Sequence, residues 1–384
     1  MEAQLNSLID AVRQAGADGR VLRLRGGGSK DFWGQGLAGE VLDTRAYRGI
    51  VSYEPSELVV TVRCGTPLAE LEAALAEKGQ SLAFEPPSFE ADATVGGMVA
   101  AGLSGPARAT AGAVRDYVLG ARFINGLGEH LTFGGQVMKN VAGYDVSRLM
   151  AGSWGTLGLI TEVSLKVLPV APAEATLMCA GLSQQDALNV LHRWGGQPLP
   201  LNASAWVRDT TAQPVADYLF VRLRGAVAAV QSAVTKMRAD VVDLGAQVQV
   251  MDNAQASADW RASGDQTLQF FDPPTPDACL WRLSLPQTAP VLNLPGPTPS
   301  PYIEWQGAQR WLWAPAGAAE ALRQLAQSVG GHATLFRSST AQPQTDKSVG
   351  VNTPLDAVQA RIQQQLQKQF DPKGVFATGR VYSL

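Results

Sequence analysis

Three consecutive glycines, Gly26 to Gly28, follow the short alternating run VLRLR and lead into Ser29 and Lys30. Glycines in a row lose more conformational freedom on folding than other residues, so a chain keeps them where bare backbone must stand close to something. A loop of consecutive amides free of side chains is a nest that holds anionic oxygens without a metal. Taken alone, RGGGSK fits a plain turn between strands equally well. Two further small-residue surfaces shift the reading toward a ligand: Thr94, Gly96, Gly97, Gly102 and Ser104 form one, and Gly152, Gly155 and Gly158 the other. Three such surfaces before residue 160 imply one long ligand, of the size of a dinucleotide.

Two familiar phosphate loops do not fit. The nucleotide-hydrolase loop needs Gly-x-x-x-x-Gly-Lys-Ser/Thr running into a helix, whereas here Ser29 precedes Lys30 and Asp31 follows it. GQGLAG, Gly34 to Gly39, matches the Gly-x-Gly-x-x-Gly fingerprint literally, but that motif requires a helix after its last glycine. The strand-like EVLDT follows instead, so the match is read as accidental.

The chain of 384 residues is long enough for two domains. Its net charge of -3, from 31 basic and 34 acidic residues without blocks, lacks the electrostatic footprint of a nucleic-acid binder. Cys64, Cys179 and Cys279 each lie in an apolar, strand-like run and read as core residues. An iron-sulfur cluster needs about four thiolates at short spacing, so these three cannot hold one. MEAQLNSLIDAV lacks the basic start and apolar centre of a signal peptide, and nowhere do about 18 apolar residues run together. The expectation is a cytoplasmic protein that meets a membrane only through partners.

Leu5, Leu8, Ile9 and Val12 share one helical face, so the chain should open with an amphipathic helix. LVVTV (58–62) reads as a buried strand. In TPLAELEAALAEKG, Thr66 is the expected N-cap, Pro67 the first helical residue and Gly79 the stop. VLGARFINGLGEHLTF reads as two strands joined at Asn125-Gly126, and LITEVSLKVLP as a half-buried strand. PVAPA after it marks the expected domain boundary. Beyond it, the pattern predicts strand (176–181), helix (183–195), strands (202–208 and 217–224), helix (226–238) and strand (246–251), a βαββαβ unit. A less regular second set has strands near 279–285, 301–305, 309–314 and 332–337 and a helix over 316–329. Side by side, two such units make one antiparallel sheet with helices on one face. The stretch 286–301, with six prolines, reads as a surface loop.

RGGGSKDFWG, the run LDTRAYRGIVSYEPSELVVTVRCGTPLAELEAALAEKGQSLAFEPP, ATVGGMVAAGLSGP, VRDYVLGARFINGLGE and KNVAGYDVSRLMAGSWGTLGLITEVSLKVLP resemble the FAD domain of the vanillyl-alcohol oxidase and p-cresol methylhydroxylase flavoproteins. Within that family the likeness is greatest to the smaller flavoprotein subunits of bacterial glycolate-oxidising complexes. It is strong over residues 1 to about 170, returns in the terminal FDPKGVF-GR stretch, and is weak over 171–345. The resemblance implies an α+β fold: a two-lobed FAD-binding domain of the p-cresol methylhydroxylase type (1–170), an α+β cap with an antiparallel sheet (171–345), and a C-terminal segment (346–384) packing back on the FAD domain.

It further implies that Gly26, Gly27, Gly28, Ser29 and Lys30 hold the FAD pyrophosphate through backbone amides. Thr94, Gly96 and Gly97 would line the flavin ribityl region, and Gly155, Gly158 and Ile160 the adenosine end. Arg25, Pro87, Gly102 and Ser104 complete the expected cofactor set. The opening loop has no histidine, so the FAD is expected to be non-covalent. One departure stands at the C-terminus: Ala377, Thr378, Gly379 and Arg380 occupy the place where the family often carries Asn-Pro-Gly before a basic residue, which removes the asparagine's polar contact. Side chains at Gly27 or Gly28 should block amide access and lose the flavin, with Lys30→Ala costing much less.

Oxidising a 2-hydroxy acid needs a base for the hydroxyl proton and a cation for the carboxylate. His130 and His192 read as structural. His332 and Arg337, five residues apart on one expected strand, would point to opposite faces and make a weak pair. Lys139, Tyr144 and Arg148 in KNVAGYDVSR, and Arg380, are further weak candidates. No metal is expected. The resemblance implies an FAD-dependent oxidoreductase acting on CH-OH groups, with a sister flavoprotein and an iron-sulfur subunit as partners. The poverty of histidine in the cap suggests that this FAD relays electrons. Two other readings stay open: a stand-alone FAD oxidase of a hydroxy acid, lactone or sugar alcohol, and a non-catalytic flavoprotein scaffold.

Overall fold

The computed structural model describes residues 1–135, 145–211, 213–296 and 298–382. The chain forms two compact units: Met1–Ser104 with Ala113–Val170 and Pro354–Leu384, and Gly105–Gly112 with Ala171–Thr353.

In the first unit, strands β1 (Leu22–Arg25) and β2 (Glu40–Asp43) pair in parallel. β3 (Ile50–Glu54), β4 (Val59–Arg63), β6 (Val118–Ile124), β7 (His130–Gly134) and β8 (Leu159–Lys166) form a sheet in the order β3-β4-β8-β6-β7. The short β5 (Gln80–Ser81) and β9 (Leu168–Pro169) pair beside it. Its main core joins Val60 and Val62 of β4, Leu71 and Leu75 of the Leu68–Ala76 helix, Met98 and Val99 of the Val95–Ala101 helix, and Val163 and Leu165 of β8. The opening helix, Glu2–Asp18, buries Leu8, Val12 and Ala15 and stops at Gly19 in the left-handed region. It packs in a second cluster with Val375 and Phe376 of the C-terminal segment. The Asp371 carboxylate accepts from the backbone N–H groups of both residues, at 2.8 and 2.7 Å.

Three local expectations change. The Leu68–Ala76 helix starts one residue late, after Pro67, because the Thr66 hydroxyl accepts from Gly49 N at 2.8 Å instead of capping. β8 is buried on both faces and not on one. Glu162 can lie inside because Tyr47 OH donates to it at 2.7 Å and Arg122 Nη1 at 3.3 Å, and Ser164 bonds Thr61 at 2.9 Å. Between β6 and β7 the connection is a five-residue loop rather than a two-residue turn. Asn125 Oδ1 organises it by accepting from Leu127 N and Glu129 N, both at 3.0 Å. Gly126 is required there because a Cβ would lie 2.1 Å from Asp371 Oδ1. Asn125→Ala strands those two donors and should cost about 1–3 kcal/mol, read as a lowered melting temperature with the bound flavin unchanged.

The second unit is built on one eight-stranded antiparallel sheet. Its strands are β10 (Ala173–Ala180), β11 (Leu201–Asp209), β12 (Ala216–Gly225), β13 (Gln247–Val250), β14 (Cys279–Ser284), β15 (Tyr302–Glu304), β16 (Gln309–Ala314) and β17 (His332–Arg337). The order is β13-β10-β12-β11-β15-β16-β14-β17. Numbering strands within each half, both halves read 4-1-3-2 from their outer edge and meet at strand 2, β11 against β15. The halves therefore repeat the same split topology. In the first half the helices Gln184–Gly195 and Val227–Val242 cover the face bearing Leu177, Cys179 and Trp206. In the second, the Ala319–Ser328 helix covers Trp281, Leu283 and Leu312 on that face. The proline stretch takes the place of the missing helix and is more than a surface loop. Ala289 and Leu292 are buried in this core, and Arg310 Nη1 and Nη2 hold Pro290 O and Ala289 O at 2.7 Å each.

Not every helix lies on that face. Asn253–Gly264 packs on the other one, where Trp260 Nε1 donates to Thr176 Oγ1 at 3.0 Å and Ser263 Oγ bonds Tyr302 OH at 2.8 Å. The segment Gly105–Gly112, drawn from the small-residue region, belongs to this second unit. Gly105 O accepts from Trp305 Nε1 at 3.0 Å, and Thr110 Oγ1 donates to Asn202 O at 2.7 Å.

Candidate cofactor-binding site

In the first unit β1 delivers Arg25 and the glycines to a groove whose opposite wall comes from the start of the Val95–Ala101 helix and from residues 154–160. Arg25 to Lys30, Thr94, Gly96, Gly97, Gly155, Gly158 and Ile160 line it together, joined by Arg380 from the C-terminal segment. Its enclosed part measures about 90 Å³. A water occupies about 30 Å³ in the liquid, so this is the scale of a phosphate group or two. A whole dinucleotide needs a pocket of roughly 300–1,000 Å³, and its ends would lie beyond the enclosed part. Pro87, Gly102 and Ser104 do not line the groove. Ser104 Oγ accepts from Val114 N at 3.2 Å, and Gly102 packs on Gly152. Lys139 and Tyr144 lie outside the described residues. Arg148 is exposed and pairs with Asp145 at 3.0 Å.

The glycines have a more local cause than access for a ligand. A Cβ on Gly26 would sit 2.2 Å from Thr94 Oγ1, and one on Gly27 1.6 Å from the Asp92 carbonyl oxygen. A Cβ on Gly96 would meet the Cys64 Cβ at 2.6 Å, and one on Gly102 the Gly152 backbone at 2.8 Å. Gly152 N and Trp154 N donate to Val99 O and Ala100 O at 3.1 and 2.8 Å. The three small-residue surfaces are thus packed on one another. What this leaves for a ligand is the row of amides at Gly27, Gly28 and Ser29, whose N–H groups have no acceptor among the described residues. Unpaired amides in a nest are the donor set that anionic oxygens take.

The groove is also cationic. Arg380 is buried, its Nη2 donates to Lys30 O at 2.6 Å, and its guanidinium stands 4.7 Å over the Trp154 ring. Its Nε is buried without a partner, and burial lowers its pKa to about 10, which leaves it charged at neutral pH. Lys30 is buried, with Nζ 3.2 Å from Ser29 Oγ and 5.3 Å from the Phe89 ring centroid. Arg25 pairs with Asp31 at 2.7 Å. Arg23 adds a further positive charge near Arg380. A buried diphosphate needs such pairing, and the donors and charges present fit one.

Trp154 and Cys64 were not anticipated. Trp154 holds a left-handed φ of 52° and stacks on Trp33 at 4.0 Å; its position between Gly152 and Gly155 was the available signal. Cys64 lines the groove, but burial pushes its thiol up to about 12. It stays protonated and a poor nucleophile.

Among the described residues no histidine lines this groove. His130 Nε2 bonds Thr161 Oγ1 at 2.9 Å, and His192 Nε2 meets Gln287 O. In the second unit a register shift in the β14-β17 ladder places Arg337 opposite Leu280 and His332 opposite Ser284. Arg337 and His332 therefore share one face instead of pointing apart. Four residues of β14 separate their rungs, about 13 Å at 3.3 Å per residue, and Arg337 Nη2 is bonded to Gln266 Oε1 at 3.1 Å. They make no base-and-cation pair.

A larger cavity, about 630 Å³, opens on the second unit's sheet face under the Asn253–Gly264 helix. Met178, Val207, Phe220, Trp260, Tyr302 and Trp313 give it an apolar wall. Its arginine, Arg208, is neutralised by Asp217 at 2.7 Å, and Asp209, Asp259 and Asp272 lie around it. That balance does not suit an anionic substrate.

Beside this cavity Glu304 is buried, accepting from Trp311 Nε1 at 3.1 Å and from Gln309 Nε2. Burial raises its pKa from 4.5 to about 7, against the smaller opposing effects of Trp311, Gln309, Arg282 and Ser263. The folded state therefore holds this proton more tightly than the unfolded chain. Stability is full below about pH 4.5 and is lost as pH rises through about 7, by on the order of 3 kcal/mol. Glu304→Gln should flatten that part of the pH profile of the melting temperature.

Comparison with known proteins follows the same outline. The FAD binding domain family matches residues 3–134. Glycolate oxidase subunit GlcE of Escherichia coli (strain K12) is 42% identical over 377 residues, covering 98% of this chain and 97% of that protein. The chain belongs to the GlcE family. The identity to GlcE spans both units, whereas two further relatives match only part of the chain. D-lactate dehydrogenase of Anaerostipes hadrus is 35% identical over 42% of this chain and 34% of that protein. Glycolate oxidase subunit GlcD of Bacillus subtilis (strain 168) is 33% identical over 36% of this chain and 30% of that protein. Among solved structures, an alkyldihydroxyacetonephosphate synthase superposes with a TM-score of 0.67 at 15% identity, covering 96% of this chain and 74% of that one. The fold is thus that of the FAD-binding p-cresol methylhydroxylase type, with mixed helices and antiparallel sheet. Among the described residues no helix is long and apolar enough to cross a membrane.

Proposed function

We propose that this chain is the FAD-binding subunit of a complex that oxidises glycolate or a similar 2-hydroxy acid, and that the 26–30 groove holds the FAD diphosphate. Whole-length identity to a glycolate oxidase subunit carries the reading, and the unpaired amides and buried Arg380 agree with it. When bound, FAD supplies the acceptor for the hydride of the substrate. The chain's part is to bind and shield: Gly27 to Ser29 would donate to phosphate oxygens, and Arg380 and Lys30 would neutralise them. The packed glycine surfaces keep the groove narrow. Attachment is non-covalent, since the opening loop has no histidine, and burial keeps the Cys64 thiol protonated.

Electrons leave through an iron-sulfur partner. Cys64, Cys179 and Cys279 are all buried and divided between two units, and burial keeps their thiols protonated. A sister flavoprotein of the kind named GlcD is the other partner. The separation of His332 from Arg337 favours a second reading, in which substrate is oxidised on that sister and this FAD relays the electrons. Co-purification of the chain with two partners, followed by flavin and iron assays, tests the assembly. A solitary chain that turns over hydroxy acid with oxygen would replace it with a stand-alone oxidase, and a colourless chain with a scaffold.

A further inference from the structure

The sheet face that carries Glu304 also carries an arginine, Arg282, that has no hydrogen-bonded acceptor among the described residues. Two rungs of the ladder lie side by side there: Glu304, Gln309, Ser284 and His332 in one, and Tyr302, Trp311, Arg282 and Thr334 in the next. Arg282 is at the middle of the second rung, its guanidinium 5.5 Å from the Phe336 ring centroid. Among the described residues no acceptor hydrogen-bonds to it, and its Nε is buried. The residue as a whole remains partly exposed. A guanidinium desolvated in this way regains free energy when an anion takes its fork.

The surrounding charge points the same way. Burial, and then Arg108 of the 105–112 segment, lower Arg282 to about 10, with Glu304 opposing. Arg108 itself stands 4.6 Å over the Trp305 ring, next to Glu304 in sequence. Glu304, whose carboxyl burial raises to about 7, is only partly charged at neutral pH. Beside Arg282, the Trp311 and Phe336 rings pack edge to face on each other, centroids 4.8 Å apart.

We infer that Arg282 anchors the carboxylate of a small 2-hydroxy acid on this sheet face, with Arg108 adding to the field. The inference rests on the reading of the chain as a subunit of a hydroxy-acid oxidoreductase and deepens it: this subunit would meet substrate or product directly, not only electrons. Arg282 itself does not line the nearby cavity, although Tyr302 of its rung does, and that cavity's arginine is already paired.

The anchor predicts a pH dependence. Facing Glu304 and Arg282 are Arg108, His332, Tyr302 and, from the Asn253–Gly264 helix, Asp259. Of these, Glu304 changes charge around pH 7; its deprotonation gives Arg282 an internal counterion. Binding of a small carboxylate should therefore tighten as pH falls from 8 to 6, and Glu304→Gln should weaken that trend.

Calorimetric titration of the purified full chain with oxalate, a redox-inert small carboxylate, tests the anchor. Wild type should bind oxalate, glycolate should compete, and ethylene glycol, which has no carboxylate, should not. Arg282→Met should weaken oxalate at least tenfold, and Arg282→Lys should recover part of the loss. Melting temperature and flavin content identify variants that fold; should Arg282→Met unfold, Arg282→Gln takes its place. Equal oxalate affinity in wild type and a folded Arg282 variant, or no oxalate binding to wild type, overturns the inference. A chain that binds oxalate but no FAD refutes the flavoprotein reading alone, and one that holds FAD but no oxalate refutes the anchor alone.

Discussion

Gly27→Ala should yield a chain that no longer retains FAD. The added Cβ would lie 1.6 Å from the Asp92 carbonyl oxygen and 2.3 Å from its carbon, both backbone atoms that no rotamer change can move aside. Either the 26–30 loop or the 92–94 segment must shift, and the amides of Gly27 to Ser29 lose their common aim. Loss of FAD affinity by more than a hundredfold is expected, measured by flavin fluorescence on reconstitution, with a lower melting temperature. Gly28→Ala should be milder. Its Cβ meets the flexible end of Arg25 at 2.2 Å, although φ of 83° adds strain of about 1–2 kcal/mol. The order Gly27 worse than Gly28 is the discriminating result, because simple obstruction of ligand access would make the two equal.

Arg380→Met should weaken FAD by about ten- to a hundredfold, the scale of one or two lost charged hydrogen bonds at about 1.5–3 kcal/mol each. The arginine reaches Lys30 O across 350 residues of sequence and packs over Trp154, so it fixes the loop and presents charge to the groove. Arg380→Lys keeps the charge without the planar fork and should fall between wild type and Met. Equilibrium dialysis of FAD reads the series. Lys30→Ala is also expected to matter more than its sequence context suggested, since the side chain is buried beside Phe89 and Ser88.

The sequence showed the first unit's ligand surfaces because glycine runs report backbone constraint directly. It misattributed their cause: the close partner of Gly26, Gly27 and Gly96 is first of all the protein's own Asp92, Thr94 and Cys64. The alternation in LITEVSLK suggested one wet face, yet Glu162 and Ser164 are satisfied by Tyr47 from the loop before β3 and by Arg122 and Thr61 from other strands. Periodicity cannot reveal such partners. In the second unit the succession of strands and helices along the chain was legible because apolar runs and helical faces alternate regularly, whereas their order within the sheet was not. The role of the proline stretch was not, because what seats it is one buried arginine, Arg310, seen only once the sheet is formed. The same is true of Arg282, whose importance lies in what the register places beside it and in the acceptor its Nε lacks among the described residues.

Titration of the flavin-free chain with FAD and with FMN tests the central claim most directly, because the two share the flavin and differ in the diphosphate that the 26–30 groove is proposed to hold. FAD should bind tightly and FMN at least a hundredfold more weakly, with Gly27→Ala and Arg380→Met erasing most of the difference. Equal affinity for FAD and FMN, or no binding of either, would contradict it.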